Sequence, residues 1–157
     1  MKVIKNYLYN VVYQILLLLV PLITVPYISR VLGPELVGIN SYTNSWMTFF
    51  MLVGQMGIAL YGNREVAYHR ENPIERSQIF WGIELLQVMT IMSALITYLI
   101  AVFLFSTTFK EYFLLQSLWI IAAGVDVSWY FMGMENFQRI VFRNMLVKLA
   151  SVVLIFL

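Results

Sequence analysis

Charged residues divide this chain into long uncharged stretches at residues 6–29, 36–63, 85–109 and 112–134, the last interrupted only by Asp126. As a helix rising 1.5 Å per residue, each is long enough to cross about 30 Å of hydrocarbon. After Lys148 the sequence reads LASVVLIFL and ends, too short a run to span a bilayer. The pattern predicts an all-α integral membrane protein with four full transmembrane helices plus the start of a fifth. The expected spans are about 8–30, 36–62, 82–106 and 112–134, with a fifth from about 142 that is cut off, all in one transmembrane helical region. The unfinished segment suggests a fragment of a larger protein or the product of a shortened gene. A short natural chain ending in a buried half-span is the alternative.

Lys2 and Lys5 precede the first stretch as they would in a secretory signal peptide. That stretch is too long for a signal core, and no small-x-small cleavage site follows it. With the N-terminus inside, the cytoplasmic side holds Lys2, Lys5, Arg64, Arg70, Arg76, Arg139, Arg143 and Lys148, and the outer side only Arg30 and Lys110. The asymmetry predicts a cytoplasmic N-terminus. In the first outer turn, RVLGPELVG, Gly33 can end one helix and Pro34 begin the next, with Glu35 at the positive end of the new dipole. In the inner loop, Asn72, Pro73 and Glu75 fit an N-cap, N1 and N3 arrangement, which predicts that the third helix starts there.

Composition agrees: 61% of the 157 residues are hydrophobic and 11% charged, with a mean hydropathy of +0.81. An average soluble domain has roughly 45–50% apolar and 25% charged residues. The absence of cysteine removes disulfides, thiolate metal sites and cysteine nucleophiles. A formal charge of +2 with no basic run argues against a nucleic-acid partner. Aromatics gather at Tyr7, Tyr9 and Tyr13, at Phe80 and Trp81, and at Trp129 and Tyr130, as interfacial belts or as ordinary packing.

Candidate chemistry is sparse. The single histidine, His69, lies in the polar loop beside Arg70 and Glu71 and reads as solvated. No Gly-rich nucleotide loop and no His, Asp and Glu set at metal spacing is present, so no enzyme, cofactor or metal is expected. Asp126 is the most informative residue. If the fourth helix is continuous, its charge lies near the midplane and must face a bundle interior or watery cavity; if the helix breaks at Gly124, it reaches the inner interface. Arg30 either snorkels to the surface or turns inward at a kink made by Pro21 and Pro26, where its fork of donors would suit a phosphate. Gly54, Gly57, Gly62 and the Gly124 with Ser128 pair would let helices approach closely.

Three segments carry a resemblance: NYLYNVVYQILLLLVPLITVPYISRVLGPELVGINSYTNSW, MGIALYGNREVAYHRENPIERSQIFWGIE and GVDVSWYFMGMENFQRIVFRNMLVK. They resemble the N-terminal part of Wzx-type oligosaccharide flippases, polysaccharide biosynthesis proteins of the multidrug/oligosaccharidyl-lipid/polysaccharide exporter superfamily. The PYISRVLGPE and YGNRE blocks are the specific signals. The resemblance implies most of one lobe of a two-lobed flippase in the bacterial cell membrane. Such a protein moves polyprenyl-diphosphate-linked glycan units to the outer leaflet by alternating access. Membrane lipid, the lipid-linked glycan and other polysaccharide-assembly membrane proteins are its implied partners. Arg30, Arg64 and Asp126 then become substrate-path candidates, as diphosphate clamp, inner gate and charge partner, with Pro21 and Pro26 as helix-kink candidates. With the second lobe absent, the chain alone is expected not to flip its substrate. A membrane-embedded glycosyl transferase and an accessory membrane subunit of a transporter or polysaccharide-assembly complex are the competing readings.

Overall fold

A computed structural model describes residues 2–105 and 108–156. It contains six helices among the described residues: α1 (Lys2–Gln55), α2 (Ile58–Tyr68), α3 (Pro73–Phe105), α4 (Lys110–Gly124), α5 (Ser128–Gly133) and α6 (Phe137–Phe156). No strand occurs among them. Two compact units form, one from the residues up to Val37 with those from Glu135 onward, the other from Gly38–Met134.

Among the described residues, three runs are long and apolar enough to cross a membrane: Leu17–Tyr68, Pro73–Phe105 and Lys110–Gly133. The first has 52 residues. At 1.5 Å per residue that is about 80 Å of helix, well over twice the roughly 30 Å of hydrocarbon a single crossing needs. Its backbone leaves helical geometry at Gly33, where φ is 77° and ψ 170°, a combination only glycine adopts without strain, and Pro34 resumes the helix. A kink therefore falls at the Gly-Pro pair where the sequence predicts a turn.

In the first unit, Leu18, Leu19, Leu22, Ile23 and Val25 are each more than half exposed. Apolar residues exposed around a helix at successive positions are stable in lipid, not in water. Backbone dihedrals stay helical at Pro21 and Pro26, the non-helical residue of α1 being Gly33. Thr24 is buried and donates its hydroxyl to the Val20 carbonyl at 2.9 Å. The Tyr27 ring meets Phe156 with centroids 4.5 Å apart. The side chains of Lys2, Lys5, Tyr7, Tyr9 and Tyr13 lie outside the described residues.

The second unit packs around two apolar clusters. Met47 of α1, Ile91, Leu95, Tyr98 and Val102 of α3, and Phe113, Ile120 and Ala123 of α4 form one. Ile58 and Val66 of α2, Ile83 of α3 and Trp129 of α5 form the other. In the first, the buried Tyr98 hydroxyl donates to the Phe113 carbonyl at 2.8 Å. In the second, Phe80 stacks on Trp129 with centroids 5.7 Å apart, so these two aromatics pack inward while Trp81 is exposed.

α3 begins where the capping pattern placed it. Asn72 Oδ1 accepts the N–H groups of Ile74 at 3.2 Å and Glu75 at 3.5 Å. The Glu75 carboxylate lies 4.0 Å from His69 Nε2, and His69 Nδ1 is 3.1 Å from the Glu65 carbonyl oxygen. Arg76 Nη1 donates to the Arg70 carbonyl at 2.8 Å, completing a loop tied by side chains from both of its helices.

Three of the small residues expected at close approaches are at them. A Cβ on Gly54 would lie 2.8 Å from Ala94 Cβ, one on Gly124 3.1 Å from Ile91, and one on Gly62 2.5 Å from the Trp129 ring. Gly133 adds a fourth, 2.8 Å from Val66 Cβ. Gly57 differs: nothing lies near it, and its φ of 75° makes it the left-handed residue from which α2 starts. The replacement Gly62→Ala is expected to lower stability by about 1–3 kcal/mol through overpacking against a rigid ring. Gly82→Ala, on a site open to 4 Å, is expected to be neutral or stabilising. Unfolding of the two variants in detergent, followed by helical circular dichroism, checks the difference.

Candidate functional site

The run Lys110–Gly133 is not one helix. α4 ends at Gly124 and α5 starts at Ser128. Glycine destabilises a helix interior, and the next polar residue offers the backbone another arrangement. Asp126 Oδ1 accepts the Ser128 N–H at 3.1 Å and also the Ser128 hydroxyl, closing an Asx-type turn. Asp126 therefore sits in the interruption and not within a continuous helix.

A broken helix inside a span frees carbonyls that lipid cannot satisfy. Gln87 of α3 supplies the donors. Its Nε2 donates to the Ala123 carbonyl at 2.9 Å and to the Asp126 carbonyl at 3.2 Å, and its Oε1 accepts the Trp129 indole N–H at 3.0 Å. Gln87 is 5% exposed and Trp129 2%. One amide thus holds both edges of the break and fixes the first aromatic of α5.

Beside this amide lies a cavity of about 200 Å³, whose polar lining comes from Gln55, Gln87, Asp126 and Ser128. Glu84, one turn before Gln87 on α3, lies within electrostatic range of the like-charged Asp126. Its Oε2 is enclosed without a hydrogen-bond partner. Two amides, one carboxylate and a hydroxyl therefore line this cavity, with the Glu84 carboxylate in electrostatic range. Polar and charged groups at such a position need protein or water around them, which a cavity supplies. No group of three or more His, Cys, Asp or Glu residues able to hold a metal occurs among the described residues.

Of the residues singled out from sequence, Asp126 lines this cavity. Arg64, exposed on α2, has no hydrogen-bond or ion-pair partner among the described residues, so it does not pair with Asp126. Arg30 is exposed on α1 in the other compact unit, likewise without a partner among the described residues. Gln87 and Glu84 were not singled out. Gln87 is uncharged and so does not punctuate a stretch defined by charge, and Glu84 marks only the edge of that stretch. Their spacing of three residues, which puts both on one face of α3, is the signal that could have joined them.

The polysaccharide biosynthesis protein family matches residues 3–157. The chain is similar to a putative O-antigen transporter of Escherichia coli (strain K12), 25% identical over 158 residues. That alignment covers 98% of this chain and 37% of the relative, so the chain spans a little over a third of that protein's length. No solved structure matches.

Replacing Gln87 by Leu keeps the apolar bulk and orphans two carbonyls and an indole N–H. The expected loss of stability is about 2 kcal/mol, since each unsatisfied buried group costs about 1–3 kcal/mol and part of it is recovered by relaxation. Gln78→Leu, at an exposed position of the same helix, is expected to lose nothing measurable. Unfolding in mixed micelles by sodium dodecyl sulfate compares them; equal midpoints would show that Gln87 does not hold the break.

Proposed function

Since this chain belongs to the polysaccharide biosynthesis protein family, we propose that it forms most of the N-terminal lobe of a flippase. The cargo is a polyprenyl-diphosphate-linked oligosaccharide repeat unit, carried across the cytoplasmic membrane for cell-surface polysaccharide assembly. The observation that carries this reading is the family match over residues 3–157. The name of the Escherichia coli relative, a putative O-antigen transporter, points the same way. The chain is a multi-pass bacterial membrane protein, with three runs long and apolar enough to cross a membrane.

In this reading the run Leu17–Tyr68 crosses twice, turning at Gly33, which brings the full spans to four with the N-terminus inside. The length of that run and the non-helical Gly33 support two crossings, and the cation asymmetry supports the orientation. The physical task is to keep a diphosphate and several sugars out of hydrocarbon while the lipid tail stays in it. Polar groups at a helix interruption suit the sugars, because freed carbonyls and amides offer both acceptors and donors. A guanidinium such as Arg30 suits the diphosphate through paired N–H groups. Arg64 acts at the inner gate. A lobe alone has no opposing wall, so binding without a transport cycle is its expected behaviour.

The natural absence of cysteine allows a direct test of topology. In intact cells, a single cysteine at Glu35→Cys is expected to react with an impermeant maleimide, and one at His69→Cys only after the membrane is opened. The reverse pattern would reject the orientation. In vesicles containing only this polypeptide, a fluorescent polyprenyl-diphosphate-linked oligosaccharide is expected to bind but to stay in its original leaflet. Arg30→Gln is expected to weaken that binding about ten-fold, the effect of losing one charge-assisted contact. Translocation by the chain alone, or binding unaffected by Arg30→Gln, would overturn the respective parts of the reading.

A further inference from the structure

A second opening, of about 420 Å³, lies between the start of α3 and the start of α5. Its walls are Pro73, Arg76, Ser77 and Phe80 of α3, and Val127, Tyr130 and Phe131 at the start of α5. The four α3 residues recur at helical spacing, so the first two turns of that helix present one continuous wall. No carboxylate lines the groove among the described residues.

Most of its donors are unspent. Arg76 gives Nη1 to the Arg70 carbonyl at 2.8 Å, which anchors the guanidinium, and its other N–H groups have no partner among the described residues. The Ser77 and Tyr130 hydroxyls have no hydrogen-bond partner among the described residues either. A held guanidinium and two hydroxyls therefore line one groove whose remaining surface is largely aromatic and aliphatic. Three donor groups, a positive charge and no acceptor of like strength match a tetrahedral oxyanion, and the apolar wall matches a hydrocarbon chain attached to it.

The position on the helix selects the source of that anion. α3 has 33 residues, about 50 Å of helix, whereas the hydrocarbon core is about 30 Å thick, so its charged first turns reach the level of the lipid head groups. We propose that this groove binds a membrane phospholipid through its head-group phosphate. Arg76, Ser77 and Tyr130 act as donors, and Phe80 and Phe131 flank the start of the acyl chain. A lipid held there bridges the first turns of α3 to α5, and so adds a second brace to the interrupted helix that Gln87 holds. The site is independent of the flippase reading, since it requires only that α3 end at a lipid surface.

The test is a titration of the purified chain in dodecyl maltoside with dihexanoyl phosphatidylglycerol, bound lipid being counted by native mass spectrometry. Dihexanoylglycerol, which lacks the phosphate, is expected to bind at least ten-fold more weakly. Arg76→Gln, and the double variant Ser77→Ala with Tyr130→Phe, are each expected to weaken phosphatidylglycerol binding about ten-fold, while Lys110→Gln, which removes a cation outside the groove, leaves it unchanged. Should Arg76→Gln fail to fold by circular dichroism, the double variant decides, because it keeps the bond from Arg76 to Arg70. Equal binding of dihexanoylglycerol, wild-type affinity in the double variant, or full displacement by equimolar inorganic phosphate would each overturn the proposal, the last by showing a site for free anion.

Discussion

Hydrocarbon offers nothing to a peptide N–H or C=O, so a helix that stops inside a membrane must find partners for what it frees within the protein itself. The structure meets this constraint differently at each interruption. At Met56 and Gly57, both with positive φ, the bonds stay local: Met56 N–H reaches the Leu52 carbonyl at 3.3 Å, and Leu60 and Tyr61 N–H reach Gly57 at 3.0 and 3.2 Å. At residues 124–127 local bonds do not suffice. Val125 N–H returns to Ala122 at 3.3 Å, and the Ala123 and Asp126 carbonyls are taken by Gln87 from another helix.

That requirement propagates outward. Holding Gln87 with its amide toward the break leaves its oxygen facing α5, where the Trp129 indole takes it. A fixed indole against α2 leaves no room for a side chain at position 62, and the same approach of α2 to α5 brings Gly133 against Val66. Phe80 stacks on the same ring and ties it to the first turns of α3. Three glycines, at 62, 124 and 133, and one glutamine thus belong to a single arrangement, although no two of these four residues are adjacent in sequence.

Features with a local cause were legible in the sequence. The Asn72 cap, the kink at Gly33 and Pro34, the close approaches at Gly54, Gly62 and Gly124, and the apolar runs each follow from one residue type in one setting. The break at Met56 and Gly57 was not legible, since Gln-Met-Gly in an apolar run carries no signal beyond a glycine already explained by packing. Asp126 was legible as a residue needing an explanation, but not which one. The choice depended on whether Gly124 ends the helix, and that depends on Gln87, which lies far away in the chain. Charge drew attention to Arg30, Arg64 and Asp126, yet the group that organises the site is neutral.

The pairing of Gln87 with the interruption is reciprocal. A glutamine buried in an unbroken bundle would have two donors and an acceptor facing apolar side chains, and burying such a group unpaired costs several kcal/mol on the scale of transfer to hydrocarbon. An interruption facing an apolar residue on α3 would strand two carbonyls at a similar cost. Neither half is tolerable without the other, so the break is a built feature and not a local failure of helix propensity. It also explains why polar groups accumulate there. Once a span contains one satisfied interruption, Asp126, Ser128 and Gln55 can line a cavity whose rim is already peptide and amide, where a polar side chain costs less than along an intact apolar helix.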